Sequence, residues 1–320
     1  ATLTFTEDNW NTARTVTVTG VNDSDRDRHQ GYKISLSAAD RDLENPEVSI
    51  FAGSGSSGST NATGTSAKFK NPRAITTDGT NLYVADRSNH TIRKIVISTG
   101  VVSTIAGSAG SYGSTNATGT AARFKYPRGI VTDGTNLYVG DTDNHLIRKI
   151  VISTGVVTTL AGSSNGFADA TGTSAKFYYP RGITTDGTNL YVADTSNHRI
   201  RKIVLSTGVV TTLAGSSSGS TDATTGTAAK FNNPRGITTD GTNLYVGDLS
   251  NHKIRKIVIS TGVVSTLAGS SAGFADGAGT AASFNGPMGI AIDGTNLYVA
   301  DFFNHKIRKI ALMGTLTADV

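Results

Sequence analysis

Short runs in which apolar and polar residues alternate recur along this chain, and a turn-forming pair closes the first of each set. Ile130-Val131-Thr132 alternates and stops at Asp133-Gly134, a tight-turn dipeptide. Leu137 to Gly140, Leu146 to Ile152 and Val156 to Ala161 follow in the same register of two. No stretch sustains a period of 3.6, so the pattern predicts four short antiparallel strands per unit and no long helix.

The unit is written five times. Pro72, Pro127, Pro180, Pro234 and Pro287 mark equivalent positions, 55, 53, 54 and 53 residues apart. Gly64 to Gly107, Gly119 to Gly162, Gly172 to Gly215 and Gly226 to Gly269 each span 43 residues, whereas the Gly/Ser/Thr-rich loops between them run 12, 10, 11 and 10. Length therefore varies in one loop per unit, where insertion costs little. Five tandem units of four strands predict an all-β fold, a propeller of five four-stranded blades, with six blades as the alternative.

The strings Pro-Arg-Gly-Ile, Leu-Tyr-Val-Ala-Asp and Asn-His-x-Ile-Arg-Lys-Ile resemble NHL repeats from residue 48 to about 313. The resemblance implies a β-propeller, usually of six blades, that serves as a binding platform for proteins or nucleic acid; a minority of such propellers are lyases. Val48-Ser49-Ile50-Phe51-Ala52-Gly53-Ser54 matches the fourth strand of a unit but precedes the first complete one, while the last unit lacks Thr-Leu-Ala-Gly-Ser. Pairing of residues 48–53 with the last blade would close the ring and remove its open edges.

The beginning of the chain has another character. Residues 1 to 47 carry nine acids and five bases, including all three glutamates, so the +5 net charge hides a basic remainder. Thr2 to Thr6, Thr15 to Thr19 and Tyr32 to Ser37 alternate as half-buried strands and resemble the C-terminal half of Ig-like or Calx-β-like modules of bacterial surface proteins. The expected division is a partial β-sandwich over 1–45 and a propeller over 46–320. Three strands of a sandwich are marginal alone, so an upstream segment or a neighbouring chain is expected to complete them, which would make these strands a route to self-association.

Composition narrows the class. The chain has 37 Gly, 17% charged residues and no Cys, which excludes disulfides and thiolate metal sites. No run of 18 apolar residues offers a membrane-spanning helix. No secretory leader is recognisable, which points to a processed chain or a piece of a longer one. The expected setting is extracellular or at a cell surface.

Among candidate chemical groups, His90, His145, His198, His252 and His305 hold one repeat position. One per blade sets them too far apart to share a metal, and Asp-x-x-Asn-His reads as a turn lock in which the Asp accepts from the turn backbone. Arg73, Arg128, Arg181 and Arg235 follow the proline at the start of each inner strand; together they would ring one end of the central channel and suit carboxylate, sulfate or phosphate groups. The fifth position is Met288. The consecutive Arg-Lys pairs, such as Arg148-Lys149, point to opposite blade faces, their stems covering apolar surface and their heads reaching water. That use of basic residues argues against nucleic acid as a partner.

Asp23, Asp25 and Asp27 fail as a calcium loop, because position six is Arg28 and position twelve is Ile34. Catalysis needs an asymmetric convergence of groups, and the regular repeats offer none, so no catalytic residue, metal or cofactor is expected. The departures from the repeat are Phe302 and Phe303, with Tyr112, Phe167 and Phe274 in the variable loops. Such aromatics suit contact with a partner. The sequence thus points to a non-enzymatic recognition or structural module binding a protein or glycan through a propeller face. A channel lyase or hydrolase, and a polyanion or nucleic-acid binder acting through the Arg ring, are the alternatives.

Overall fold

The computed structural model describes residues 49–312. Five antiparallel sheets follow one another along the chain, and each is a blade. Blade 1 comprises β1 (Pro72–Thr77), β2 (Asn81–Asp86), β3 (Thr91–Val96) and β4 (Val102–Gly107). Blade 2 comprises β5 (Ile130–Thr132), β6 (Asn136–Asp141), β7 (Leu146–Val151) and β8 (Val157–Ala161). Blade 3 contains the two-residue β9 (Ala170–Thr171), which pairs with its outer strand, then β10 (Pro180–Thr185), β11 (Asn189–Asp194), β12 (Arg199–Val204) and β13 (Val209–Ala214). Blade 4 comprises β14 (Pro234–Thr239), β15 (Asn243–Asp248), β16 (Lys253–Val258) and β17 (Val264–Ala268), and blade 5 comprises β18 (Pro287–Ile292), β19 (Asn296–Asp301) and β20 (Lys306–Ala311).

The first hairpin of each blade is set by its Asp-Gly turn. Asp78 Oδ1 accepts from the backbone N–H of Thr80 at 2.9 Å and Asn81 at 2.7 Å, and Oδ2 from the Tyr83 hydroxyl at 2.8 Å. Gly79 at φ +87° supplies the left-handed residue that the turn needs. Burial pushes the Asp78 carboxyl up, but these donors outweigh it and hold the group at about 2.

Inside each blade lies a buried ion pair between residues seven apart. Asp141 Oδ2 meets Arg148 Nη1 at 3.0 Å with both side chains fully buried, and Asn144 Nδ2 donates to the same oxygen at 2.8 Å. Oδ1 accepts from the Lys125 backbone N–H at 2.7 Å. The other Arg148 donors reach the carbonyls of Arg123 and Thr115 and the Asn116 side chain. Asp86–Arg93, Asp194–Arg201, Asp248–Arg255 and Asp301–Arg308 repeat the arrangement. Two expectations are corrected by it. The Arg heads of the Arg-Lys pairs are buried instead of reaching water, because the Asp and three further acceptors replace solvation. The Asp accepts a backbone N–H from the segment before the inner strand, and from its own turn it accepts the Asn side chain instead of the backbone.

Blades pack by one recurring interface. Tyr138, Ile147 and Ala161 on the trailing face of blade 2 meet Phe177, Ile183, Leu190 and Ile203 on the leading face of blade 3. Equivalent residues join blades 1 and 2, 3 and 4, and 4 and 5. Burying such apolar faces contributes roughly 25 cal/mol per Å².

The histidines belong to this interface. Each ends the short 3-10 turn after the second strand in a left-handed conformation, for example His145 at φ +62°. Its Nδ1 then accepts from the backbone of the next blade: His90 from Tyr126, His145 from Tyr179, His198 from Asn233 and His252 from Gly286, at 3.1 to 3.2 Å. Accepting at Nδ1 requires a neutral ring with its proton on Nε2. Burial lowers the pKa of His90, His145 and His198 and keeps that form. They are blade-to-blade locks, and no His/Cys/Asp/Glu cluster among the described residues is arranged for a metal.

Among the described residues blade 5 has three strands, and Ser49–Gly53 forms no ladder with it. The remaining expectations for the beginning of the chain, namely the partial sandwich over 1–45, its self-association and the run Asp23, Asp25 and Asp27, lie outside the described residues.

Candidate functional site

The five inner strands, β1, β5, β10, β14 and β18, converge on one cavity of about 370 Å³. In each blade the residue before the proline turns left-handed, as at Tyr179 with φ +54°, and the next side chain is delivered to the mouth of the channel. Arg73, Arg128, Arg181 and Arg235 all line this cavity, and Met288 lines it from the equivalent position of blade 5. Phe302 lines it too, on the side of blade 5.

These guanidiniums differ from the buried set. Among the described residues none of the four forms a salt bridge, and their one side-chain hydrogen bond is from Arg235 Nη1 to the Met288 sulfur at 3.8 Å. The Nε atoms of Arg128, Arg181 and Arg235 are buried with no hydrogen-bond partner, as are those of Arg93, Arg148 and Arg201, so what sets the ring apart is the missing carboxylate. Burial and then the neighbouring Arg181, Arg87 and Arg73 push Arg128 down to about 10. Arg181 is likewise held at about 10, by burial, Arg235, Arg73 and Arg87. Arg235 is lowered by burial and by Arg128 and Arg73. Like charges held together with little counter-charge favour an incoming anion.

The mouth is not fivefold symmetric. Asp143, where three other copies carry Ser, opposes the depression of Arg128 and Arg181. Arg87 adds positive charge from blade 1, whereas Met288 and Phe302 make the blade 5 side apolar. The arrangement can therefore hold an acidic group against the guanidiniums and an apolar group against Met288 and Phe302. Sequence reasoning did not assign Arg87 and Asp143 to this mouth, although both occupy the slot where Phe302-Phe303 departs from the other copies.

Phe303 stacks edge-on against Phe302 at 5.0 Å between centroids, at the rim. The structure does not bring Tyr112, Phe167 and Phe274 to the ring. They sit in the Gly-rich loops, 45–66% exposed and each beside a cation: Lys125 over Tyr112 at 5.7 Å, Arg199 over Phe167 at 3.9 Å and Lys306 over Phe274 at 3.7 Å. Much of their surface remains available to a partner.

Residues 177–203 match the family model for the NHL repeat. The chain is 29% identical to human NHL repeat-containing protein 2 over 310 residues, covering 84% of this chain and 43% of that protein. It is 31% identical over 271 residues to the Arabidopsis thaliana protein SUPPRESSOR OF QUENCHING 1, chloroplastic, covering 77% of this chain and 25% of the relative. The chain thus spans less than half the length of these relatives. Among solved structures, its fold is similar to an auxiliary nutrient binding protein from Bacteroides thetaiotaomicron, with TM-score 0.53, 17% identity and coverage of 76% of this chain and 69% of the other.

Proposed function

We propose that this chain is a non-enzymatic binding module that takes an anionic ligand at the mouth of its propeller channel. The observation that carries the reading is the convergence of Arg73, Arg128, Arg181 and Arg235 on one cavity without a paired carboxylate. A carboxylate, sulfate or phosphate placed there would supply the missing acceptors and relieve the repulsion among the guanidiniums. Sugar acids, sulfated glycans and acidic protein segments share this chemistry. An extracellular or surface setting is part of the proposal, supported by the cysteine-free, Gly/Ser/Thr-rich composition. The propeller fold it shares with a nutrient binding protein accords with a binding role.

The lyase or hydrolase reading is weaker on physical grounds. His90, His145, His198 and His252 are committed to blade-to-blade locks, and the five strand-end aspartates to buried ion pairs. Neither set faces the cavity as an acid or base. Thermal shift and calorimetry with sulfate, phosphate, galacturonate oligomers and heparin, against neutral oligosaccharides as controls, test the proposal. Saturable binding of at least one anion, weakened by Arg128→Gln with Arg181→Gln, is expected. Binding of neutral and acidic probes alike, or of none, would overturn it.

A further inference from the structure

The residue before each blade's proline is left-handed, and three of its five occupants suit that conformation: Asn71, Asn233 and Gly286. The other two are Tyr126 at φ +48° and Tyr179 at φ +54°, bulky residues for which it is strained. The blade junction does not require them, because Asn233 and Gly286 donate their backbone N–H to a histidine just as Tyr126 and Tyr179 do. Strain that the fold does not need points to what the side chains present.

Both tyrosines lie two residues from an arginine of the ring, and each anchors an aromatic cluster. Tyr126 meets His90 edge-on at 4.5 Å between centroids, and Tyr112 meets the same imidazole at 5.7 Å. Tyr179 stacks on Tyr178 at 5.1 Å, and both meet His145 edge-on. The hydroxyls of Tyr126, Tyr178 and Tyr179 make no hydrogen bond among the described residues, whereas those of Tyr138 and Tyr191 in the same blades are bonded to turn aspartates. Blades 4 and 5 have no aromatic residue in these slots, carrying Asn232-Asn233 and Asn285-Gly286.

Between the two clusters stands Asp143. Its backbone N–H donates to the Lys125 carbonyl at 3.1 Å, which sets it beside Tyr126, and its charge acts on His90, His145, Arg128 and Arg181 alike. The half-buried carboxylate nevertheless accepts no hydrogen bond and forms no ion pair among the described residues. His145 adds a free donor: Nδ1 is taken by the Tyr179 N–H, so Nε2 carries the proton, and it has no partner among the described residues. Guanidiniums, a carboxylate, an imidazole N–H and three phenols, close together and unbonded, match a ligand that is acidic at one point and rich in hydroxyls elsewhere.

We propose that the sector of the mouth formed by blades 1 to 3 holds successive rings of an acidic oligosaccharide. A uronate carboxylate sits on Arg128 and Arg181, and a neighbouring neutral sugar lays its apolar C–H face on Tyr126 or Tyr179 with its hydroxyls on Asp143 and His145. This rests on the anion reading and names its ligand class. A single-stranded nucleic acid would place a phosphate beside every stacked base. Here that phosphate would meet Asp143 and neutral histidines, while the cations of the strip, Arg87 and Lys125, already lie over Tyr126 and Tyr112.

Calorimetry on the full chain compares sulfate, tetrathymidylate and a hyaluronan tetrasaccharide, in which glucuronate alternates with neutral N-acetylglucosamine. The parent is expected to bind the tetrasaccharide about tenfold more tightly than sulfate. Tyr126→Asn with Tyr179→Asn should reduce that ratio about tenfold, and Asp143→Ser should reduce it too, sulfate gaining while the tetrasaccharide loses. Asn already fills the tyrosine slot in blades 1 and 4, so the tyrosine variant is expected to melt at or above the parent's temperature. Equal affinity for sulfate and tetrasaccharide in the parent, or an unchanged ratio in the tyrosine variant, overturns the sugar subsite and leaves the anion reading intact. A parent that binds neither probe overturns both. Tighter binding of tetrathymidylate than of the tetrasaccharide, lost with the two tyrosines, also overturns the proposal and makes a single-stranded nucleic acid the occupant.

Discussion

Arg148 and Arg128 lie in the same repeat, and both are largely removed from water, yet one explains the fold and the other the site. Arg148 has a buried carboxylate at 3.0 Å and three further acceptors; Arg128 has no carboxylate and no side-chain hydrogen bond among the described residues. Recurrence alone therefore cannot separate structural from functional positions in a tandem repeat. The presence of a counter-charge can, because an unpaired cation held among like charges costs stability unless a ligand offsets it.

That contrast can be broken from either side. Removing the paired guanidinium should be the most damaging change: Arg148→Met leaves Asp141 buried and unpaired, and is expected to cost about 3–5 kcal/mol in urea unfolding. If Arg148→Met lost no more stability than a surface substitution, the pair would not hold the blade. Removing unpaired guanidiniums should act in the opposite sense. Arg128→Gln with Arg181→Gln is expected to leave the unliganded chain as stable or more so, while anion-dependent gains in melting temperature fall by about tenfold in apparent affinity.

The smallest effect concerns the locks. His145→Gln should cost about 1 kcal/mol, the net value of one hydrogen bond, whereas His305→Gln, whose ring accepts no such bond among the described residues, should cost nothing. The pH dependence follows from the lowered folded-state pKa of His145. Its stabilisation is complete above the unfolded value of about 6.5 and is lost as pH falls below it. Chemical denaturation at pH 7.5 and 5.5 should show a smaller loss for His145→Gln than for the parent. An identical pH slope in both would show that His145 contributes nothing to it.

Alternation and turn chemistry made the blade legible, and the strands of blade 2 lie within a residue or two of their expected limits. The ring was legible from its place after the proline, because backbone geometry at an inner strand start leaves a side chain few directions. Partner choice across long separations was not. Nothing local distinguishes a histidine that caps its own turn from one that also accepts from a residue 34 positions away, as His145 does from Tyr179. The Asp141–Arg148 spacing of seven was visible, but its burial depends on acceptors at Thr115, Asn116 and Arg123, supplied by the preceding loop. The asymmetry of the mouth, in turn, comes from side chains of different turns meeting in space.

Each repeat carries one half of an interface on its leading face and the other half on its trailing face, with a lock that always points forward along the chain. The natural unit of loss or gain is therefore a whole period of 53 to 55 residues. Excising one, by unequal crossing between the near-identical stretches that encode it, would rejoin a trailing Tyr, Ile and His to a leading Phe, Ile and Leu with no mismatched contact. Half a period removed would strand both. In such a chain the number of blades is open to rapid change, while the chemistry of every junction stays as it was.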